Sequence, residues 1–189
     1  MTAETLALQP SALRSSAADV RNPLLKLEAS ALIGSLPAED RRQLRVVLDA
    51  IRREARAVGD LLWDRNRRRS AGYWRAASVY VGHIARLAHD RSTPAVYLKD
   101  IAVPKGVNPL LQLRTVKGLD MLSPDASMAL ESLLLELRSA SRSDSTKSWF
   151  SSKSPMAVYW NDVYTYAGHI ARYLRRRRAA VATKAPVLH

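Results

Sequence analysis

The chain repeats itself. Shifted by 86 positions without a gap, Asn22-Pro23-Leu24-Leu25-Lys26-Leu27 falls on Asn108-Pro109-Leu110-Leu111-Gln112-Leu113. Tyr80-x-Gly82-His83-Ile84-Ala85-Arg86 falls on Tyr166-x-Gly168-His169-Ile170-Ala171-Arg172 at the same offset. Between these ends, Leu36, Leu44, Leu48, Arg52, Arg56, Trp63 and Tyr73-Trp74 meet Leu122, Leu130, Leu134, Arg138, Arg142, Trp149 and Tyr159-Trp160. Twenty of the 65 pairs from 22/108 to 86/172 are identical. Such self-similarity at one fixed step reads as a tandem duplication. Whatever unit the first copy forms, the second is expected to form too, the two being related by an approximate twofold.

Each copy reads as three helices, so the expected fold is all-α: six main helices in a bundle. The first helix is expected to start at Asn22 or Asn108, whose amide can cap free backbone N–H groups, with proline at the first helical position. Gly34 and Gly118 are its expected stops. The second opens at Ser35-Leu36-Pro37-Ala38-Glu39 and at Ser123-Pro124-Asp125 and is expected to run to about Val58 and Ser141. Its buried side is Leu44, Val47, Leu48, Ile51, Ala55 and Val58, at 100° per residue. The third is expected over about 73–89 and 156–178, with Tyr73, Ala77, Tyr80, Ile84 and Leu87 buried and Gly82 and Arg86 on the far side. Asp64–Gly72 and the serine-rich Ser139–Ser154 read as loops, the latter mobile. Only Val96 to Val103 has a composition suited to a strand.

The domain layout expected from this is a first repeat with an N-terminal arm over 1–90, a linker over 91–107 holding Pro94, Pro104 and Gly106, a second repeat over 108–178, and a basic, frayed tail over 179–189. No stretch has the ~20 apolar residues of a membrane-spanning helix. The first residues lack a basic start followed by an apolar core, so a classical secretory signal is not expected and an intracellular or virion-internal protein is. There is no cysteine, hence no disulfide or thiolate metal site.

The net charge is +13, and 23 of 30 basic residues are arginine, the side chain suited to bidentate phosphate contact. The charge is concentrated in three places. One is the second helix of the first copy, where Arg41, Arg45, Arg52 and Arg56 fall within about a 60° arc. Another is the loop with Arg65, Arg67, Arg68 and Arg69. The third is the chain's last helix, with Arg172, Arg175, Arg176, Arg177 and Arg178; a helix macrodipole is served by one or two bases there, not five. Arg52, Arg56 and Arg86 recur as Arg138, Arg142 and Arg172. All sixteen are candidate nucleic-acid contacts, because clustered arginines release counterions from phosphates and give sequence-independent affinity.

The repeated glycine in the Gly-His-Ile-Ala-Arg segment implies close approach of a helix or of a sugar-phosphate backbone. His83 and His169 read as border residues, since neither has a carboxylate or second histidine at i+3 or i+4 for a metal. Trp63, Trp74, Trp149 and Trp160 read as core anchors, with base stacking the alternative. No glycine-rich phosphate loop or His-Glu-x-x-His pair is present, so neither an enzyme nor a cofactor is expected. The expected function is a non-enzymatic, structural nucleic-acid-binding protein, DNA or RNA, that self-assembles into an oligomer or filament and coats or packages a genome. By architecture alone it resembles the helical coat and nucleocapsid proteins of filamentous viruses, which are α-helical, basic and self-assembling. The alternatives are a helical protein-interaction scaffold and a DNA-binding regulator.

Overall fold

A computed structural model describes residues 22–88, 102–104 and 108–184, with the side chains of Ala182 and Lys184 excepted. The N-terminal arm, most of the linker and the last five residues lie outside the described residues. Of the Val96–Val103 stretch only Ala102 and Val103 are described, and neither is in a strand. The described residues are helical, with no strand among them.

Four long helices make two hairpins. In the first copy α2 (Ala38–Asp64) packs on α3 (Arg68–Leu87), α1 being the short helix Ser30–Ser35. In the second α4 (Pro124–Phe150) packs on α5 (Ser154–Lys184). The 86-residue step runs through their boundaries: α2 and α4 start and stop 86 apart, and α3 and α5 start 86 apart. It also runs through the hairpin tips. Arg67 N–H bonds to Leu62 O at 2.8 Å and Asn66 N–H to Trp63 O at 2.9 Å. Lys153 N–H bonds to Ser148 O at 2.8 Å and Ser152 N–H to Trp149 O at 3.0 Å. These paired bonds end a helix when one residue turns left-handed, and Asn66 and Ser152 do so, with φ of 56° and 55°.

The tip turns are thus shorter than the loops expected from sequence. Helix α3 begins at Arg68, inside the basic segment. The serine-rich segment is not a loop, because α4 runs through it to Phe150. Its hydroxyls return hydrogen bonds to carbonyls: Ser141 to Leu137 at 2.7 Å, Thr146 to Arg142 at 3.0 Å, and Ser145 across to Ala157 of α5 at 2.9 Å. A serine satisfied this way no longer competes with the helix, and packing on α5 does the rest. The last helix is also longer than expected, since α5 continues past Arg178 to Lys184.

The expected first helices do not form as single helices. Pro23–Lys26 and Pro109–Gln112 are one 3-10 turn each; α1 and the 3-10 segment Arg114–Met121 follow after breaks at Leu27 and Leu113. The reason lies in spacing. In the second copy Leu110, Leu113, Val116, Leu119 and Leu122 are all buried, every third residue; in the first copy Leu24, Ile33 and Leu36 are buried and Ser30–Ser35 closes as a short α-helix. Nine residues on, an α-helix has turned to its opposite face, whereas three residues per turn keeps the stripe in line.

These segments interlock the copies. The turn Pro23–Lys26 sits on α3 of its own hairpin, where Asn22 Nδ2 donates to His83 O at 3.0 Å. The chain then crosses to the other hairpin, and α1 lies on α4; reciprocally, Arg114–Met121 lies on α2. Each crossing is held by a carboxylate of the opposite copy. Glu136 accepts from the N–H groups of Glu28 and Ala29 at 2.9 and 2.8 Å. The buried Glu54 accepts from those of Arg114 and Thr115 at 3.1 and 3.0 Å, and from Thr115 Oγ1 at 2.6 Å. The receiving positions are again 86 apart. Meanwhile α3 meets α5, where Tyr80 packs on Tyr159 and Trp160, with centroids 6.1 and 5.8 Å away. One continuous core therefore spans both copies.

Removing either crossing carboxylate leaves two backbone N–H groups without their acceptor, so Glu54→Ala and Glu136→Ala should each destabilise by about 1–3 kcal/mol. Glu39→Ala, at an exposed ion pair with Arg42, should stay within about 0.5 kcal/mol. Urea denaturation followed by circular dichroism checks this; equal effects at all three sites would show that the crossings carry no stability.

Candidate nucleic-acid interface

The sixteen candidate arginines divide into those that clamp the fold and those that face outward. Arg41 donates to the carbonyls of Gly34 and Leu36 at 2.9 and 3.0 Å, closing the end of α1. Arg45 pairs with the buried Asp49 at 3.4 Å. Arg175 and Arg178 both reach the buried Glu131 at 2.8 Å. Arg177 donates to Leu119 O at 3.0 Å, to Asp120 O, and pairs with the Asp120 carboxylate at 3.4 Å. The cluster at the end of the chain thus bolts α5 onto α4 and the 3-10 segment; only Arg176 of the four from 175 to 178 makes no ion pair among the described residues.

The three recurring pairs behave differently. In the first copy Arg52 and Arg56 lie one turn apart on α2 and, with Arg86, Ser78, Val79 and Gly82 of α3, line a depression of about 320 Å³. Gly82 is not on an open far side. It is buried under the Arg52 stem, and a Cβ there would stand 2.7 Å from Arg52 Cδ. The second copy repeats the contact, with a Cβ at Gly168 standing 3.0 Å from Arg138 Nε. A mid-helix glycine costs about 1 kcal/mol against alanine; in both copies it lets an arginine lie across the neighbouring helix with its head at the surface.

The partners of these arginines are weak or shared. Arg52 bonds to Asp49 at 3.2 Å, a carboxylate it shares with Arg45. Arg56 pairs with Asp60 at 3.0 Å, which also holds Arg75 at 3.1 Å; the two guanidiniums hold the Asp60 carboxyl below its usual value, against the opposing effect of burial. In the second copy Arg138 donates to Tyr164 Oη at 2.7 Å and lies over that ring, 4.6 Å from its centroid. Arg142 has no acidic partner among the described residues. Arg172 returns a bond to Gly168 O at 3.2 Å.

The histidines report the field. Arg86 donates to His83 Nδ1 at 2.5 Å, so His83 is neutral. Burial and then the Arg86 charge push His83 down to about 4. His169 is lowered for the same reasons, by burial and by Arg172 and Arg138.

At the tips, Arg65, Arg67, Arg68 and Arg69 are exposed, and the last two sit in the first turn of α3, where the macrodipole disfavours positive charge. Trp74 is buried, and Trp160 packs against the core. Trp63 and Trp149 are exposed and are not core anchors. Arg75 and Arg68 cover Trp63, 4.4 and 5.6 Å from its centroid. Comparing the copies for identity alone passes over Arg75 and Tyr164, because their counterparts are Asn161 and Ser78.

Among the described residues no helix is long and apolar enough to cross a membrane, and no cluster of three or more His, Asp or Glu could hold a metal ion. No family model, curated protein or solved structure matches the chain.

Burial is the larger cause of the lowered His83 value and the Arg86 charge the smaller; a polyanion laid on Arg86 would offset the second. In the unfolded chain histidine titrates near ~6.5, so the folded protein binds fewer protons than the unfolded between that value and about 4. The resulting stability is complete above the unfolded value and is lost as pH falls through the window. An oligonucleotide or inorganic phosphate should raise the His83 value, and affinity should strengthen on acidification through the same window. NMR titration of the His83 ring, assigned with His83→Gln, reads both; a value that ignores saturating phosphate would place the anion elsewhere.

Proposed function

We propose that the chain is a non-enzymatic nucleic-acid-binding protein that grips the phosphate backbone with weak sequence preference and, by self-association, coats or packages a genome. The observation that carries this reading is the arginine triad present at matching positions of both copies, Arg52, Arg56 and Arg86, then Arg138, Arg142 and Arg172. In each, one stem is seated over a bare glycine. Clamping arginines satisfy the fold, whereas these keep their heads outward at the cost of a helical glycine.

Placement supports the reading. Arg52 and Arg56 stand about 6 Å apart along α2, close to the spacing of successive phosphates. Arg68 and Arg69 at a helix start add charge where the fold itself disfavours it.

Arg52→Gln with Arg56→Gln should leave helix content unchanged and lower the salt slope of binding by about one to two phosphate contacts. Alanine at Arg65, Arg67, Arg68 and Arg69 should weaken binding more than Lys153→Ala, the one base of the matching turn. Anisotropy titrations of random and defined strands at stepped salt measure both, and nuclease-sensitive material absorbing at 260 nm should accompany the purified particle. A flat salt response, or discrimination near a thousand-fold between sequences, would count against the reading.

A further inference from the structure

The two hairpin tips share a tryptophan position but not its surroundings. Trp63 is 47 % exposed and roofed by Arg75, which Asp60 holds in place. In the second copy Arg75 is replaced by Asn161, Asp60 by Thr146, Arg68 by Ser154 and Asp64 by Phe150. Among the described residues no guanidinium lies over the Trp149 ring, which is 65 % exposed, and Phe150 beside it is 83 % exposed. Two depressions meet beneath them. One, of about 340 Å³, is lined by Arg142, Ser145, Thr146, Asn161 and Tyr164. The other, of about 400 Å³, shares Ser145, Thr146 and Asn161 and continues to Trp149, Phe150, Ala157 and Val158, with Arg69 of α3 on its wall. Together they form one trough, with Arg142 at one end and the two aromatic rings beside Arg69 at the other.

We propose that this trough binds unpaired nucleobases of a single strand, with the backbone phosphate on Arg142 and Arg138 and the base stacked on Trp149 and Phe150. The inference rests on the phosphate-binding reading above and adds to it the class of strand. Charge complementarity fixes the occupant: Arg142 has no acidic partner among the described residues, and the trough carries no carboxylate. The Asn161 amide makes no hydrogen bond among the described residues and is placed to meet a base edge. In the first copy Arg75 occupies the matching indole face, so base stacking is assigned to Trp149 and Phe150. Stacking of this kind tolerates any base, because each has a π-face.

The test uses the full chain and three labelled probes of equal length: oligothymidylate, an abasic strand and a duplex. Oligothymidylate should bind about tenfold tighter than the abasic strand, within the range of one stacked base. Trp149→Ala should erase that difference and leave abasic and duplex binding as they were; Trp149→Phe should keep most of it, and Trp63→Ala should not alter it. Equal binding of thymidylate and abasic strands, with duplex binding intact, would overturn the stacking proposal and leave the phosphate reading standing. Failure of all three probes to bind would remove both. If Trp149→Ala instead breaks up an oligomer or abolishes binding to anionic vesicles, with strand preference unchanged, the tip is a self-contact or membrane contact and the proposal is wrong.

Discussion

An apolar residue at every third position cannot be kept on one side of an α-helix, and that constraint organises this molecule. Leu110, Leu113, Val116, Leu119 and Leu122 are all buried, as their spacing requires three residues per turn. Because 3-10 geometry is weak over long runs, the segment needs external support for its first N–H groups. It finds that support on the other hairpin, in the carboxylate of Glu54, while Glu136 does the same for the first copy. The reciprocal crossing joins two hairpins that otherwise meet chiefly through α3 and α5. Their aromatic seam, Tyr80 against Tyr159 and Trp160, joins the two halves of the core.

Within that frame the charge has two uses. A chain of net charge +13 works against its own compact state. Part of the excess is turned inward, where Arg41, Arg177 and the Glu131 pair hold helix ends and segment junctions. The remainder keeps its heads at the surface. A glycine under Arg52 and another under Arg138 weaken two helices at matching positions of the copies, and in the first copy arginines at the start of α3 oppose its dipole. The proposed phosphate contacts would give these local costs a use.

Much of this was legible in the sequence. The long helices and the buried stripe from Leu44 to Val58 were readable, because a helix with one apolar face leaves a strong period; their ends were not, since α2 and α4 run on to Asp64 and Phe150 rather than stopping near Val58 and Ser141. The short segments were misread as helices because Asn-Pro is a good helix start whether one turn follows or four. The period-three stripe was the signal that distinguished them. Ser139–Ser154 was misread because serine content says nothing of where its hydroxyls bond; the carbonyl partners at Leu137, Arg142 and Ala157 exist only once α5 is packed alongside. For the site, sequence recovered the recurring triads. It could not tell them from Arg175, Arg177 and Arg178, whose acids lie 44 to 57 residues away along the chain.

The differences between the copies carry as much information as their likeness. The backbone turns of the two tips are alike, but Asn161 and Phe150 stand in one copy where Arg75 and Asp64 stand in the other. On the role proposed above, the recurring triads would supply grip on a strand and the unlike tips would give each chain a direction along it. Chains added along one strand would then face the same way, with head-to-tail contacts between neighbours, and such contacts close into a ring or continue as a filament according to the rotation per step.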